Sequence, residues 1–143
     1  MKDVSSTLTV NYVPKAIVDM VWGDVVRLLE KSVDTANGKF TMTDIYNGLM
    51  NDMYLLWLVL DDGQPIAALT TRIMAYPNRR AMALDWIGGS RMREWLPMAQ
   101  EIMGKYAKEN HCDHLEGYGR KGWDRWLAKY GWKPEYIAYK MEL

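Results

Sequence analysis

Gly88-Gly89-Ser90-Arg91-Met92-Arg93 is the stretch best suited to chemistry. It follows an apolar run with strand character, Arg80 to Trp86, and leads into apolar residues three or four apart. Met92, Trp95, Leu96, Ala99, Ile102, Met103 and Tyr106 form one face of a helix. A glycine turn between strand and helix lets the main chain approach a ligand. The N–H groups and dipole at the helix start favour an anion. Ser90 is placed to cap the helix, and Arg91 and Arg93 suit phosphate. Asp85, near the end of the strand, is a candidate general base, and Glu116 on the next strand is a second. The bland alternative is a turn that only leaves the strand, with Asp85 salt-bridged to Arg80 or Arg91. Pro97 also falls inside the helix if Ser90 caps it, which breaks the bond to the carbonyl of Arg93.

Two other constellations are weaker. His111-Cys112-Asp113-His114 contains metal-ligand types, but in an extended segment neighbours point to opposite faces and cannot converge on one ion. No metal site is expected there, and Cys112 reads as a buried thiol. Gly119 to Trp126 concentrates Arg120, Lys121, Arg125 and two tryptophans. Its charges suit a phosphate or nucleic acid, while Trp123 and Trp126 lie on a helical stripe and are expected to pack inward.

The elements that must position these groups follow from periodicity. Thr7 to Tyr12 reads as a first strand, Lys15 to Lys31 as a helix, and Asp34 to Phe40 as a loop. Thr41 or Thr43 caps a second helix through Met50. Met53 to Leu60 is an apolar strand covered on both faces, Asp61-Asp62-Gly63-Gln64 a hairpin turn, and Pro65 to Tyr76 the returning strand. Pro77-Asn78 turns into Arg80 to Trp86. His114 to Tyr118 is the next strand, and Gly119 to Tyr130 a helix stopped by Gly131. Glu135 to Leu143 alternates, with Ile137, Tyr139, Met141 and Leu143 on one face, and predicts a final strand.

Composition narrows the field. The 143 residues suit one core, and 18 basic against 18 acidic side chains argue against non-specific nucleic-acid binding. One cysteine excludes an internal disulfide and makes a reducing, cytoplasmic interior the expected compartment. No signal peptide or membrane span is visible. Seven tryptophans and eleven methionines against one phenylalanine mean that the large core residues are mostly Trp, Tyr and Met.

The element order β-α-α-β-β-β-α-β-α-β, the D-D-G-Q-P-I-A-A hairpin, the strand–turn–helix and W-L-A-K-Y-G-W-K-P together resemble the GNAT acetyltransferase superfamily over most of the chain. D-W-I-G-G, E-G-Y-G-R-K-G-W and a terminal strand are similar to GNAT-like proteins of tailed bacteriophages. The resemblance implies an α/β fold (α+β by stricter usage). Its mixed, mostly antiparallel twisted sheet would carry helices on both faces, in a single domain spanning 1–143. It implies acetyl-CoA as cosubstrate and transfer to a primary amine by direct attack. Trp86, Ile87, Gly88, Gly89, Ser90, Arg91, Arg93 and Arg120 would hold the cosubstrate, Asp85 or Glu116 would be the base, and Tyr118 and Tyr130 are the phenols near the usual acid. Two positions depart from the family. The glycines of its Arg/Gln-x-x-Gly-x-Gly/Ala motif would fall near Arg91 and Arg93, and the acid tyrosine position holds Leu127. The alternative the resemblance leaves open is a non-catalytic GNAT-like phage protein, acting in virion assembly or host-protein binding in the host cytoplasm. Its partner would be another protein or a second copy of the chain.

Overall fold

The computed structural model describes residues 7–119 and 121–143. Its centre is a five-stranded sheet in chain order: β1 (Leu8–Val13), β2 (Leu55–Asp61), β3 (Gln64–Ala75), β4 (Arg80–Gly89) and β5 (His114–Gly117). All neighbours are antiparallel except β4 and β5, which run parallel. A parallel pair needs a crossover, and α3 (Met92–Glu109) supplies it. The hairpin between β2 and β3 is set by Asp62 and Gly63, both at positive φ (50° and 81°), the twist-matched form for a two-residue turn.

Alternation along the strands sorts their side chains into two cores. Trp57, Val59, Ala67, Leu69, Met82 and Leu84 face α3, where Trp95, Leu96, Ala99 and Met103 meet them. Leu56, Leu58 and Ala68 face α1 (Val18–Asp34) and α2 (Met42–Met50). A 3-10 turn, Lys15–Ile17, leads into α1. Thr41 caps α2 with a reciprocal box: its hydroxyl accepts from Asp44 N at 3.3 Å and its own N–H donates to Asp44 Oδ2 at 2.8 Å. The fold is therefore α/β, with a mostly antiparallel twisted sheet and helices on both faces. No helix among the described residues is long and apolar enough to cross a membrane.

One irregularity shapes the centre. Thr70 pairs with Trp86 and Thr71 with Leu84, so Asp85 is an extra residue, a β-bulge in β4. Pairing of β4 with β5 stops at the same point: the last pair is Leu84 with Gly117, although β4 runs on to Gly89. Residues 85–89 thus have β3 on one side and no strand on the other among the described residues.

Two expectations are corrected. Glu135 to Leu143 is not a strand: 133–143 has no regular structure and pairs with nothing in the sheet. Alternation supplies a strand-like side-chain pattern but not a ladder partner. Gly119 to Tyr130 is not one helix. A 3-10 turn (Lys121–Trp123), the short α4 (Asp124–Leu127) and a second 3-10 turn (Ala128–Tyr130) follow one another, and Gly131 at φ 93° ends them as expected. Gly119 and Gly122 account for the weak start, since glycine resists helix by about 1 kcal/mol.

The glycines make opposite predictions. A methyl on Gly88 would lie 2.1 Å from the carbonyl oxygen of Leu28 in α1, whereas one on Gly104 in α3 meets nothing within 4 Å. Gly88→Ala is expected to cost about 1–3 kcal/mol through displaced backbone. Gly104→Ala should add about 0.5–1 kcal/mol. Urea unfolding midpoints of the two variants measure both signs.

Candidate functional site

The bulge aims Asp85 at the α1-side face of the sheet, where Arg72 takes hold of it. Arg72 Nε donates to Oδ2 at 2.9 Å and Nη2 to Oδ1 at 3.0 Å. The carboxylate is 9% exposed and the guanidinium 33%. The partner is thus neither Arg80 nor Arg91, as the sequence suggests. Arg80 Nε donates to the Asn110 carbonyl at 2.9 Å, and Arg91 is engaged with Glu94 and Asp61. Register decides this: Arg72 pairs with Ala83 across β3 and β4, one step from the bulge and on the same face.

Glu116 and His114 are two apart on β5 and share that face. Tyr76 Oη donates to Glu116 Oε2 at 2.6 Å, and His114 Nε2 lies 3.0 Å from Oε1. Bonding to Glu116 pushes the Tyr76 phenol up to about 12, so it donates throughout the neutral range. The other His114 nitrogen meets Asp113, which Arg79 Nε also bonds at 2.8 Å. Arg79 first and His114 second hold Asp113 well below the usual carboxylate range. Asp113, then Glu116, raise His114 above its ordinary value. Tyr118 follows β5, and desolvation, then the neighbouring charge of Tyr136, keeps its phenol protonated. Asp85, Glu116 and Tyr118 therefore gather beside the end of the β4–β5 ladder.

The glycine turn is packed closely against its neighbours. Gly88 lies against the α1 backbone at Leu28, and a methyl on Gly89 (φ 120°) would meet Ile66 O at 2.2 Å. Both glycines are required by packing. Ser90 N–H donates to Ile66 O at 3.0 Å and its carbonyl accepts Trp95 Nε1 at 2.9 Å. Ser90 does not cap the helix. The N-cap is Arg91, at a left-handed φ of 60° with no side-chain capping bond. Its fork is occupied by Glu94 at 2.8 and 3.0 Å and by Asp61 at 2.5 Å. The helix begins at Met92, so Pro97 is inside it and the Arg93 carbonyl lacks its usual donor. The N–H groups of Met92 and Arg93 belong to the first turn and have no intrahelical acceptor. Ile87 packs at the margin of the α3-side core. Trp86 packs in the α1-side core, edge-on to Phe40 at 5.1 Å, with its Nε1 buried and unpartnered.

On the α3 side lies a groove of about 510 Å³ lined by Arg93, Gly122, Asp124, Arg125, Trp126 and Lys129. Arg93 stacks over Trp126, 5.5 Å from the ring centroid. Three cations face one carboxylate there, which suits a ligand carrying several negative charges. Arg120 lies outside the described residues. Arg125 and Lys129 were missed as a pair, and their signal is the i, i+4 spacing that puts both on one helical face. Arg72 and Tyr76 carried no local signal, since strand register alone brings them to Asp85 and Glu116. In the His111–His114 run Cys112 is buried, while Asp113 and His114 enter the charged network. Leu127 packs against the α3-side core.

No family model matches the sequence, and no curated protein matches it. Solved structures do match the fold. The aminoglycoside N-acetyltransferase AAC(6')-Iy in complex with CoA is 14% identical, covers 99% of both chains and has a TM-score of 0.68. A GNAT family acetyltransferase from Staphylococcus aureus is 12% identical over 96% of this chain and 99% of its own, with a TM-score of 0.64. A predicted acetyltransferase with acetyl-CoA from Clostridium acetobutylicum is 13% identical, covering 94% and 96%, at 0.61. The chain thus has the GNAT acetyltransferase fold.

Two measurements test the network. Arg72→Met strands a buried carboxylate and should cost about 3 kcal/mol, most of which Asp85→Leu in the same chain restores; chemical denaturation of the four-member cycle reads the coupling. By NMR, the His114 ring should titrate above 6.5. Because the folded value is raised, its contribution is complete below about pH 6.5 and fades as pH climbs through the folded value. The stability gap between the protein and His114→Asn should close along that same curve.

Proposed function

We propose that the protein is an acyl-CoA-dependent N-acetyltransferase acting on a primary amine. The observation that carries this reading is the open edge of β4 over residues 85–89, flanked by a basic groove on one face and by Asp85, Glu116 and Tyr118 on the other. The cosubstrate would be acetyl-CoA, which the structural relative from Clostridium acetobutylicum holds, while AAC(6')-Iy holds CoA. The residues fit it in part. Arg93, Arg125 and Lys129 would take its phosphates, aided by the free N–H groups of Met92 and Arg93, while the unpaired main chain of β4 offers strand-like bonds to its amides. Gly88, Gly89 and Arg91 are committed elsewhere and serve the site as its frame.

In the transfer the amine nitrogen attacks the thioester carbonyl, a C–N bond forms and the C–S bond breaks. Glu116 is the better base. Asp85 already has both oxygens on a guanidinium, whereas Glu116 accepts from a phenol and an imidazole and lies beside the cleft. Tyr118, kept protonated, would return a proton to the leaving thiolate.

A second reading has its own support. The committed glycines, the occupied Arg91 fork and Leu127 in place of the acid tyrosine favour a protein that keeps the fold and binds a macromolecular partner. This is the role proposed above for GNAT-like phage proteins in virion assembly or host binding.

Thermal unfolding with acetyl-CoA, and with CoA and ATP as controls, separates the two. Acetyl-CoA at about a hundred times its dissociation constant should add ~2.7 kcal/mol of stability. Arg125→Ala with Lys129→Ala should abolish most of that gain while leaving unliganded unfolding unchanged. With an amine that turns over, Glu116→Gln should lower kcat by about 10²–10⁴ with little change in KM for acetyl-CoA. A cooperative protein that ignores millimolar acetyl-CoA is not a transferase.

A further inference from the structure

Behind Glu116 stands a line of charged groups that the transfer described above leaves unused. His114 Nε2 lies 3.0 Å from Glu116 Oε1, and its Nδ1 is bonded to Asp113 Oδ1. Asp113 is firmly fixed. Arg79 reaches its Oδ1 with Nε at 2.8 Å and Nη2 at 2.7 Å, and the Arg80 N–H donates to its Oδ2 at 3.0 Å. Glu116 is held more loosely: its Oε2 accepts from Tyr76, and its Oε1 meets the imidazole.

Two carboxylates on one imidazole need two protons, and the neutral ring carries one. The second proton is the mobile one. When it leaves, the proton that stays belongs on Nδ1, against the carboxylate that Arg79 and Arg80 fix in place. Nε2 is then a bare lone pair facing Glu116 Oε1, which has lost its donor.

We propose that His114 is the proton store behind Glu116: the proton lost by the amine passes to Glu116 Oε1 and on to His114 Nε2, while Asp113 keeps the other ring proton on Nδ1. This rests on the transferase reading and says how its base is driven. His114 does not meet the amine; it acts through Glu116, as a positioning residue. A carboxylate alone holds a proton only in acid, whereas an imidazole backed by Asp113 holds one near neutrality. The protons balance. The amine's proton reaches Nε2 as the C–N bond forms, and Tyr118 gives its own to the thiolate as the C–S bond breaks. His114, 28% exposed, then returns a proton to water, and Tyr118 takes one back.

The surrounding charges decide when the store is empty. Asp113 and Glu116 favour the charged ring, Asp113 the more strongly. Burial opposes it, as does Arg79, whose Nη2 is 3.3 Å from Nδ1. Tyr76 and Tyr118 stand near Glu116 as neutral phenols, and Glu135 adds its charge near Arg79. The ring keeps its proton past its ordinary 6.5, so the base is ready only above that value.

Nitrogen NMR on unliganded protein carrying isotope-labelled histidine reads the tautomer without any substrate. Above the His114 midpoint, the remaining proton should be on Nδ1. Ethylamine, tyramine and putrescine then serve as acceptor probes, and the acid limb of kcat should share the midpoint that NMR gives. His114→Gln keeps a donor toward Glu116 but stores no proton. It should move that limb down by about one pH unit or more and lower kcat roughly tenfold, with KM for acetyl-CoA unchanged. A neutral ring protonated on Nε2 overturns the proposal, as does a limb that His114→Gln leaves in place. If none of the three amines turns over, the tautomer decides alone. A protein that acetyl-CoA does not stabilise overturns the transferase reading and this inference with it; one that is stabilised but carries the proton on Nε2 overturns this inference only.

Discussion

The grip of Arg72 on Asp85 is the contact from which the centre of the molecule is arranged. A bulge in the middle of a sheet is a place where the chain can slip by a residue, and a slip turns every later side chain to the wrong face. The two-pronged bond fixes which residue is the extra one. With Asp85 out of step, Leu84 still faces α3, Trp86 faces α1, and Ile87 returns to the α3 side. The ladder to β5 ends there, so one irregularity both opens the gap and decides which groups line it.

The turn after β4 extends that logic. Gly88 and Gly89 let α1 and β3 approach until no side chain fits between them. The strained backbone that a phosphate loop ordinarily gives to glycine is displaced to Arg91, whose left-handed conformation is held by Glu94 and Asp61. Arg93, Arg125 and Lys129 instead line the groove beside Trp126.

Much of the frame was legible in the chain. Asp62-Gly63 announced the hairpin, the stripe from Trp95 to Met103 announced the crossover helix, and Thr41 with Asp44 announced a capped helix start. Each is a local rule, complete within a few residues. What was not legible depended on distant partners. Asp85 has Arg80 and Arg91 nearby in sequence, yet a bulge five residues beyond Arg80 and the β3 register give it Arg72. Glu135 to Leu143 has the pattern of a strand, but a pattern does not say which edge it joins. The groove joins the first turn of α3 to a helical segment some thirty residues later, a relation no spacing rule encodes.

Pro97 gives the crossover helix a mechanical property. Because the Arg93 carbonyl has no proline N–H to accept, the turn from Met92 to Leu96 is tied to the rest of the helix by fewer bonds than an uninterrupted one. Trp95 and Leu96 anchor it through side chains in the core, not through the backbone ladder. The turn that presents Arg93 to Trp126 is therefore set by the packing of Trp95 and Leu96 more than by the helix's own hydrogen bonds.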